Sequence, residues 1–288
     1  MTAVLPLEEA SAHAGVSSPA SAKTAIALKA LRKVFRRDAI ETVALDGVDL
    51  TIDEGEFVAI VGPSGCGKST MMRIIAGLTA ASTGDVVVDG QNVDGPIIDL
   101  GIVFQKPVLL DWRDVLGNVL LQIEMRELRP ADYRDRARTL LGAVGLGEFQ
   151  DRYPHELSGG MQQRAGIVRA LIHDPSLLMM DEPFGALDAL TREQMRIDLE
   201  ALWLASKKTV LFITHSIDEA VLLADRVVVM SPRPGRIETI IKIDLDRPRG
   251  LAARKSPAFD HAVDAITQIF LARGVLHGGT SRANLVTP

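Results

Sequence analysis

A glycine-rich segment that ends in a lysine and two hydroxyl residues carries the strongest chemical signal in the sequence. It reads GPSGCGKST and fits the pattern G-x-x-x-x-G-K-[ST]. The glycines let backbone N–H groups converge on phosphate oxygens, and a helix that starts there adds positive potential. Lys68 would reach the β- and γ-phosphates, and the Ser69 hydroxyl would ligate Mg²⁺. The predicted phosphate loop comprises Gly62, Pro63, Ser64, Gly65, Cys66, Gly67, Lys68, Ser69 and Thr70.

The neighbouring segments supply the context that this motif requires. The apolar run 56–61 precedes it as a predicted strand, and Met72, Ile75 and Leu78 follow it at helical spacing. The strand–loop–helix order favours a phosphate site over a glycine-rich turn that binds nothing. Cys66 is expected to act as a small filler, because only its backbone N–H would serve the loop; a redox switch is the alternative.

Two adjacent carboxylates end another apolar run, Leu177–Met180. An acid beside a phosphate loop can hold Mg²⁺, and a second group can orient or deprotonate the attacking water. We therefore predict that Asp181 holds the Mg²⁺ ion and that Glu182 orients or deprotonates the attacking water. Paired acids at a strand end also occur as solvated turns, and the upstream phosphate loop is what favours the catalytic interpretation.

Four further polar features lie along the chain, two before the acid pair and two after it. Gln105 comes after a predicted strand and could reach Mg²⁺ or the attacking water, and Asp188 follows the acid pair. Ser158–Gly160 begin a helix pattern, which makes a second anion-binding helix terminus. His215 follows the strand-like segment Thr209–Thr214, where an imidazole could touch a γ-phosphate, although a structural role is the commoner one.

The elements that must position these residues alternate between strands and helices. The apolar runs have the length of parallel strands covered on both faces, and they include Glu56–Val61, Leu100–Phe104, Leu177–Met180, Thr209–Thr214 and Arg226–Met230. Helical patterns lie between them, which indicates an α/β domain. Thr191 and Gln194 match a T-x-x-Q capping box at the start of one helix.

The ordered motifs resemble those of the nucleotide-binding subunit of an ABC transporter: Walker A, Q-loop, LSGGQ-like signature, Walker B, D-loop and H-loop. The resemblance covers residues 25 to 249, and LSGGMQQR departs from the family pattern only at Met161, where Gln is usual. It implies a P-loop NTPase (RecA-like) core with a mixed sheet and a helical subdomain inserted between the Q-loop and the signature. It also implies that Phe35 stacks on adenine, for which an ordinary core phenylalanine is the alternative.

The resemblance assigns a role to each site residue. The implied catalytic residues are Glu182, His215 and Gln105, and the implied metal ligands are Ser69, Gln105 and Asp181. The nucleotide-binding set adds to the phosphate loop Phe35, Ser158, Gly159, Gly160 and Asp188. The implied cofactors are ATP and Mg²⁺, with two ATP molecules held in a head-to-tail homodimer between Lys68 of one copy and Ser158–Gly160 of the other.

The chain divides into three predicted regions. Residues 1–24 form a flexible tail, residues 25–249 the nucleotide-binding domain with its helical subdomain at about 106–157, and residues 250–288 a C-terminal helical extension. Val115–Met125 and Tyr133–Val144 are the predicted helices of the subdomain. Ser256 and Pro257 begin the C-terminal helix, whose apolar face either packs within the chain or docks on a dimer partner.

Composition limits the function classes. The chain has 32 Lys+Arg and 37 Asp+Glu, a net charge of −5, so we expect no nucleic-acid partner. The lone Cys66 excludes an internal disulfide and a Cys-rich zinc site. No apolar run approaches the ~20 residues of a membrane-spanning helix, and no secretory signal is recognisable. We expect a peripheral protein on the cytoplasmic face of the inner (plasma) membrane, bound to integral membrane permease subunits and indirectly served by a periplasmic or extracellular solute-binding protein.

Two segments resemble one importer branch. Leu109–Val119 is similar to a stretch of nitrate/sulfonate/taurine-type importers, although Asp111 replaces the usual proline, and Ser231–Ile237 followed by Asp244–Arg249 is similar to the same branch. Trp112 in the first segment has simple packing as its alternative. Other possibilities are a different substrate branch (vitamin precursor, amino acid or lipid trafficking), a soluble ABC ATPase acting on nucleic acid, and a P-loop kinase. The residues of this chain do not name the transported solute.

Overall fold

The computed structural model describes residues 23–38, 40–185 and 187–276, so most of the predicted N-terminal tail and the last twelve residues lie outside it. The described chain forms ten strands: β1 Thr24–Arg37, β2 Ile40–Asp53, β3 Phe57–Val61, β4 Thr83–Val88, β5 Gln91–Asn92, β6 Leu100–Val103, β7 Leu177–Asp181, β8 Thr209–Thr214, β9 Arg226–Met230 and β10 Ile237–Lys242. Its α-helices are α1 Lys68–Ile75, α2 Val115–Met125, α3 Pro130–Ala143, α4 Gly159–Leu171, α5 Ala189–Ser206, α6 Ile217–Leu223 and α7 Pro257–Ala272.

The central sheet is mixed and has the order β10-β9-β3-β8-β7-β6. Strands β6, β7, β8, β3 and β9 are parallel to one another, whereas β10 pairs antiparallel with β9. Every residue of β3 and β8 is buried, as expected for parallel strands covered on both faces. Because parallel strands end at the same edge, the segments that follow β3, β6, β7 and β8 meet there.

The two faces of the central sheet bury separate apolar clusters. Phe57, Ala59 and Val61 of β3 point to the cluster that contains α5, α6 and α7. Val58 and Ile60 point to the opposite cluster, which contains α1 and the second sheet. That second sheet is antiparallel with the order β2-β1-β4-β5. The mixed central sheet, with helices on both of its faces, confirms the predicted α/β fold.

A third apolar cluster joins α2, α3 and α4. The predicted helix Val115–Met125 is observed with the same limits, and the Asp114 side chain caps it by accepting from the N–H of Gly117 at 2.6 Å. The second predicted helix begins earlier than expected, because Pro130 occupies its first turn. Trp112 is 74% exposed on this helical part, so the packing alternative for its side chain is wrong.

The predicted capping box at the start of α5 is wrong. Asp188 is the N-cap, and its carboxylate accepts from the N–H groups of Leu190 and Thr191 at 3.2 and 3.1 Å. Gln194 donates to Asp198 instead of turning back to the helix start. Aspartate ranks above threonine as an N-cap, so the helix starts at the earlier residue.

Helix α7 packs on the body of its own chain. Ser256 caps it by accepting from the N–H of Phe259 at 3.2 Å, and Pro257 lies in its first turn, both as predicted. Phe259, Ile266 and Phe270 are buried in the cluster that also holds α5 and α6. This apolar face is used within the chain, so the alternative in which it docks on a dimer partner is wrong.

Candidate active site

The phosphate loop follows β3 and needs glycine at its last turn. Gly67 caps α1 with φ of +106°, in the left-handed region that favours glycine. A Cβ atom there would lie 2.7 Å from Leu45 Cδ2 and 2.8 Å from the Ala44 carbonyl oxygen, too close for any side chain. The Lys68 side chain is buried, and its ammonium donates to the carbonyl oxygens of Gly62 and Pro63 at 2.7 and 3.1 Å. Its positive charge therefore lies inside the loop.

Ser69 and Asp181 lie side by side. The Ser69 hydroxyl donates to Asp181 Oδ1 at 3.0 Å. Burial, and then the negative charge of Glu182, raise the pKa of Asp181, although the hydrogen bond from Ser69 opposes the shift. A hydroxyl and a carboxylate oxygen in contact match the oxygen donors that Mg²⁺ prefers, so this pair fits the implied metal.

Glu182 is the point at which three strands bring their end residues together. Its Oε2 accepts from Gln105 Nε2 at 3.1 Å and lies 3.3 Å from His215 Nδ1. Gln105 follows β6, Glu182 follows β7 and His215 follows β8. Glu182 also has φ of +46°, a conformation that is costly for a non-glycine residue and is typical of functional sites.

Lys68, Ser69, Gln105 and Glu182 line one cleft of about 370 Å³, whereas Asp181 and His215 contact lining residues without being part of the lining. Its lining comprises Phe35, Thr42, Ala44, Ser64, Gly65, Gly67, Lys68, Ser69, Thr70, Gln105, Glu182 and Arg233. Phe35 is 45% exposed and shares the cleft with Lys68, so it is not an ordinary core phenylalanine. Its ring borders the cleft, and Lys33 Nζ lies over the ring at 5.0 Å from the centroid.

Cys66 lies within the phosphate loop and is buried. Burial raises the pKa of its thiol, and the nearby charge of Lys68 only partly offsets the effect. A buried, protonated thiol is unreactive, which agrees with the expected role as a small filler.

Ser158–Gly160 and Asp188 do not line this cleft within the described part of the chain. Ser158 is the N-cap of α4 and accepts from the N–H of Met161 at 3.3 Å. Both Ser158 and Asp188 are exposed. A Cβ at Gly160 would lie 3.0 Å from Thr191 Cγ2, so the starts of α4 and α5 adjoin one another. The helix start at Ser158 is therefore separate from the cleft that holds Lys68.

A buried network behind His215 was not foreseen from the sequence. Thr214 Oγ1 donates to Glu219 Oε2 at 2.6 Å and accepts from the N–H of Ser216 at 3.0 Å. Burial raises the pKa of Glu219, and the hydrogen bond from Thr214 opposes this. The S-x-x-E pattern formed by Ser216 and Glu219, a capping-box signature, was the signal that could have revealed it.

Arg192 links this network to the segment after the acid pair. Its guanidinium donates to the carbonyl oxygens of Leu187 at 2.8 Å and Phe184 at 3.4 Å, and it lies 3.8 Å from Glu219 Oε1. The start of α5 and the start of α6 are thereby tied together behind the acid pair. Three residues of the cleft lining, Thr42, Ala44 and Arg233, were also not assigned to the site from the sequence.

A phosphate loop at the end of a buried parallel strand, with an acid pair on a nearby strand and a hydroxyl–carboxylate contact between them, defines a P-loop nucleotide hydrolase. Residues 45–185 match the family model described as ABC transporter. The chain is 50% identical over 209 residues to the taurine import ATP-binding protein TauB of Rhizobium johnstonii, which is 73% of this chain and 79% of that protein. The chain belongs to the ABC transporter family.

Two further comparisons support this. The aliphatic sulfonates import ATP-binding protein SsuB of Bacillus licheniformis is 41% identical over 234 residues, 81% of this chain and 89% of that protein. A dimeric post-hydrolysis structure of the ATP-binding cassette MJ0796 with ADP and Pi has 34% identity and a TM-score of 0.68, covering 76% of this chain and 98% of that one. The predicted family, P-loop fold and ATPase class are confirmed. None of the helices in residues 23–38, 40–185 and 187–276 combines the length and the hydropathy of a membrane-spanning segment.

Proposed function

We propose that this chain energises an ABC importer for a small sulfonate such as taurine, working as a homodimer that binds ATP and Mg²⁺ between its two copies. The observation that carries the proposal is the convergence of Lys68, Ser69, Asp181 and Glu182 at one edge of the central sheet. The names of the related import proteins support the substrate class.

The metal would be held by oxygen atoms of Ser69, Asp181 and Gln105, the first two of which are in contact at 3.0 Å. When bound, Mg²⁺ would supply positive charge to the β- and γ-phosphates. Because Asp181 is half-buried with a raised pKa, a neighbouring cation would favour its ionised form.

The residues of the chain do the rest of the chemistry. Backbone N–H groups of the phosphate loop and the Lys68 ammonium bind the phosphate oxygens. Glu182 accepts a proton from the attacking water or orients it, and Gln105 and His215 hold its Oε2 from two sides. The backbone of Glu182 is fixed by the hydrogen bond from its N–H to the Ile213 carbonyl oxygen at 2.9 Å.

A second copy would complete the site. The helix start at Ser158 is exposed and lies outside the cleft that holds Lys68, although both are suited to bind phosphate. If two copies associate head to tail, the Ser158–Gly160 helix start of one would close over the nucleotide bound at Lys68 of the other. Asp188, which begins the adjoining helix, would lie at the same interface.

The helical part of the chain would dock on integral membrane permease subunits. Two large apolar side chains in the segment after Gln105 support this, since Val108 is 57% exposed and Trp112 is 74% exposed. The chain would then be peripheral on the cytoplasmic face of the membrane. A solute-binding protein would act on the permease from the other face, without touching this chain.

Uptake by the source cells tests the substrate class. A strain that lacks the chain should lose accumulation of radiolabelled taurine or an aliphatic sulfonate, while nitrate uptake stays normal. The wild-type chain should restore uptake and the Glu182→Gln variant should not. Loss of nitrate uptake alone would show that the importer takes nitrate and not a sulfonate. Unchanged uptake of all three solutes would contradict the proposal.

A further inference from the structure

An arginine from a distant part of the chain enters the nucleotide cleft. Arg233 lies in the loop between β9 and β10, and its Nε and Nη2 donate to the carbonyl oxygen of Gly65 at 3.2 and 3.1 Å. Its side chain lines the same cleft as Phe35 and Lys68. A cation from residue 233 thus stands beside a loop that is built to bind phosphate.

The loop that carries Arg233 contacts both strand β2 and the phosphate loop. The N–H of Gly235 donates to the Ala44 carbonyl oxygen at 2.9 Å, and its own carbonyl accepts from the N–H of Asp46 at 3.0 Å. Gly235 also packs so tightly on the phosphate loop that a Cβ atom would lie 2.0 Å from the Cys66 carbonyl oxygen. The loop is therefore anchored at Gly235, two residues from Arg233, before any ligand arrives, which limits the entropy lost on binding.

The charge of Arg233 is not neutralised by a carboxylate in the described chain. A guanidinium has five N–H donors, and the Gly65 oxygen engages two of them. The remaining donors suit a phosphate group, which arginine binds in a bidentate manner. Lys68, the other cation of the described lining, is buried inside the loop, whereas Arg233 is exposed at its rim.

We propose that Arg233 is a nucleotide-binding residue that contacts the phosphate chain of the bound nucleotide, adding a second positive charge to that of Lys68. The inference rests on the proposed function in so far as ATP is the ligand. Arg233 acts on binding and leaves proton transfer to Glu182. Its loss should therefore raise KM and Kd with little change in kcat.

Binding of ATP, ADP and adenosine to three variants tests this proposal. Arg233→Gln should weaken ATP and ADP binding about tenfold, the usual worth of one charge-assisted hydrogen bond at a partly exposed site, and should leave adenosine binding unchanged. Arg233→Lys should recover part of the loss, because it keeps the charge. Arg236→Gln is the matched control, since Arg236 pairs with Asp46 outside the cleft lining.

The outcomes separate the proposal from the function on which it rests. If Lys68→Ala abolishes ATP binding while Arg233→Gln binds ATP like wild type, Arg233 is no ligand and the ATP site stands. An equal loss for adenosine, ATP and ADP in Arg233→Gln would show that the residue only braces the loop, and would also overturn the proposal. If the wild-type chain binds neither ATP nor ADP, the ATP site itself is wrong.

Discussion

The Ser69 hydroxyl donates to Asp181 Oδ1 at 3.0 Å across 112 positions of sequence. The contact exists because β3 and β7 both end at the same edge of the central sheet, separated by β8. The hydroxyl in the first turn of α1, which follows β3, and the carboxylate at the end of β7 can then bind the same cation.

Removing the negative charge of Asp181 should weaken the binding of the Mg²⁺ ion that ATP hydrolysis requires. In Asp181→Asn, the Mg²⁺ concentration for half-maximal ATP hydrolysis should rise about 10- to 100-fold, because an amide is a poorer ligand for a hard cation than a carboxylate. The measurement is a Mg²⁺ titration of phosphate release. Asp85→Asn, at an exposed aspartate of β4, is the matched control and should titrate like wild type. An unchanged Mg²⁺ midpoint in Asp181→Asn would contradict the metal assignment.

Glu182→Gln should stop turnover without stopping binding. Phosphate release should fall about 10²- to 10⁴-fold, the range for loss of a positioned general base, because glutamine cannot accept the proton. The Kd for ATP should change little, since Lys68 and the loop N–H groups remain. Glu148→Gln at an exposed site is the control. Normal turnover in Glu182→Gln would mean that another group activates the water.

Replacing Gly67 by alanine should destabilise the chain, and the same substitution at Gly142 is the matched control. Gly67→Ala places a Cβ at φ of +106° against Leu45 and Ala44, so it should cost about 1–3 kcal/mol of unfolding free energy and lose ATP binding. Gly142→Ala, in helix α3 with no described atom within 4 Å of the new Cβ, should gain about 0.5–1 kcal/mol. Urea denaturation measures both, and an equal response of the two variants would contradict the loop geometry.

His173 makes the folded chain sensitive to acid. Burial, and then the positive charge of Arg126, lower its pKa from 6.5 to about 4, although Asp99 and Asp174 oppose this. Both ring nitrogens are buried. Between pH 6.5 and 4 the unfolded chain binds a proton that the folded chain does not, so stability falls as the pH falls through that window.

The test compares two histidine variants. Between pH 7.5 and 5, the unfolding free energy of wild type should fall by about 1–2 kcal/mol more than that of His173→Leu. The reason is that residue 173 takes up a proton in unfolded wild type but not in folded wild type, and leucine takes up none in either state. His261→Leu, at an exposed histidine of α7, should lose as much as wild type. If all three proteins show the same pH dependence, His173 does not carry this effect.

The parts of the site that depend on local sequence were predictable. The phosphate loop is one continuous segment whose glycines and lysine have fixed spacing, and the acid pair ends a strand that is recognisable by its apolar run. Because parallel strands end at one edge, the meeting of Gln105, Glu182 and His215 follows from their positions after three strands.

The parts that depend on distant contacts were not predictable. Arg233 and Gly65 are 168 residues apart, and their contact arises from the packing of the β9–β10 loop on the phosphate loop. The cap of α5 was misplaced because Asp188 and Thr191 both suit an N-cap, and only the backbone path into the helix decides between them.

If ATP is bound between two copies of the chain, the nucleotide should change the mass of the Glu182→Gln variant in solution. With Mg²⁺ and ATP, light scattering should show twice the chain mass of 31.1 kDa with two nucleotides per pair, and ADP should leave single chains. Adding Ser158→Arg to the same variant should prevent pairing, because Ser158 would face the partner's nucleotide, while each chain still binds ATP. A Glu182→Gln variant that binds ATP but keeps the mass of one chain would show that the nucleotide is not shared between two copies.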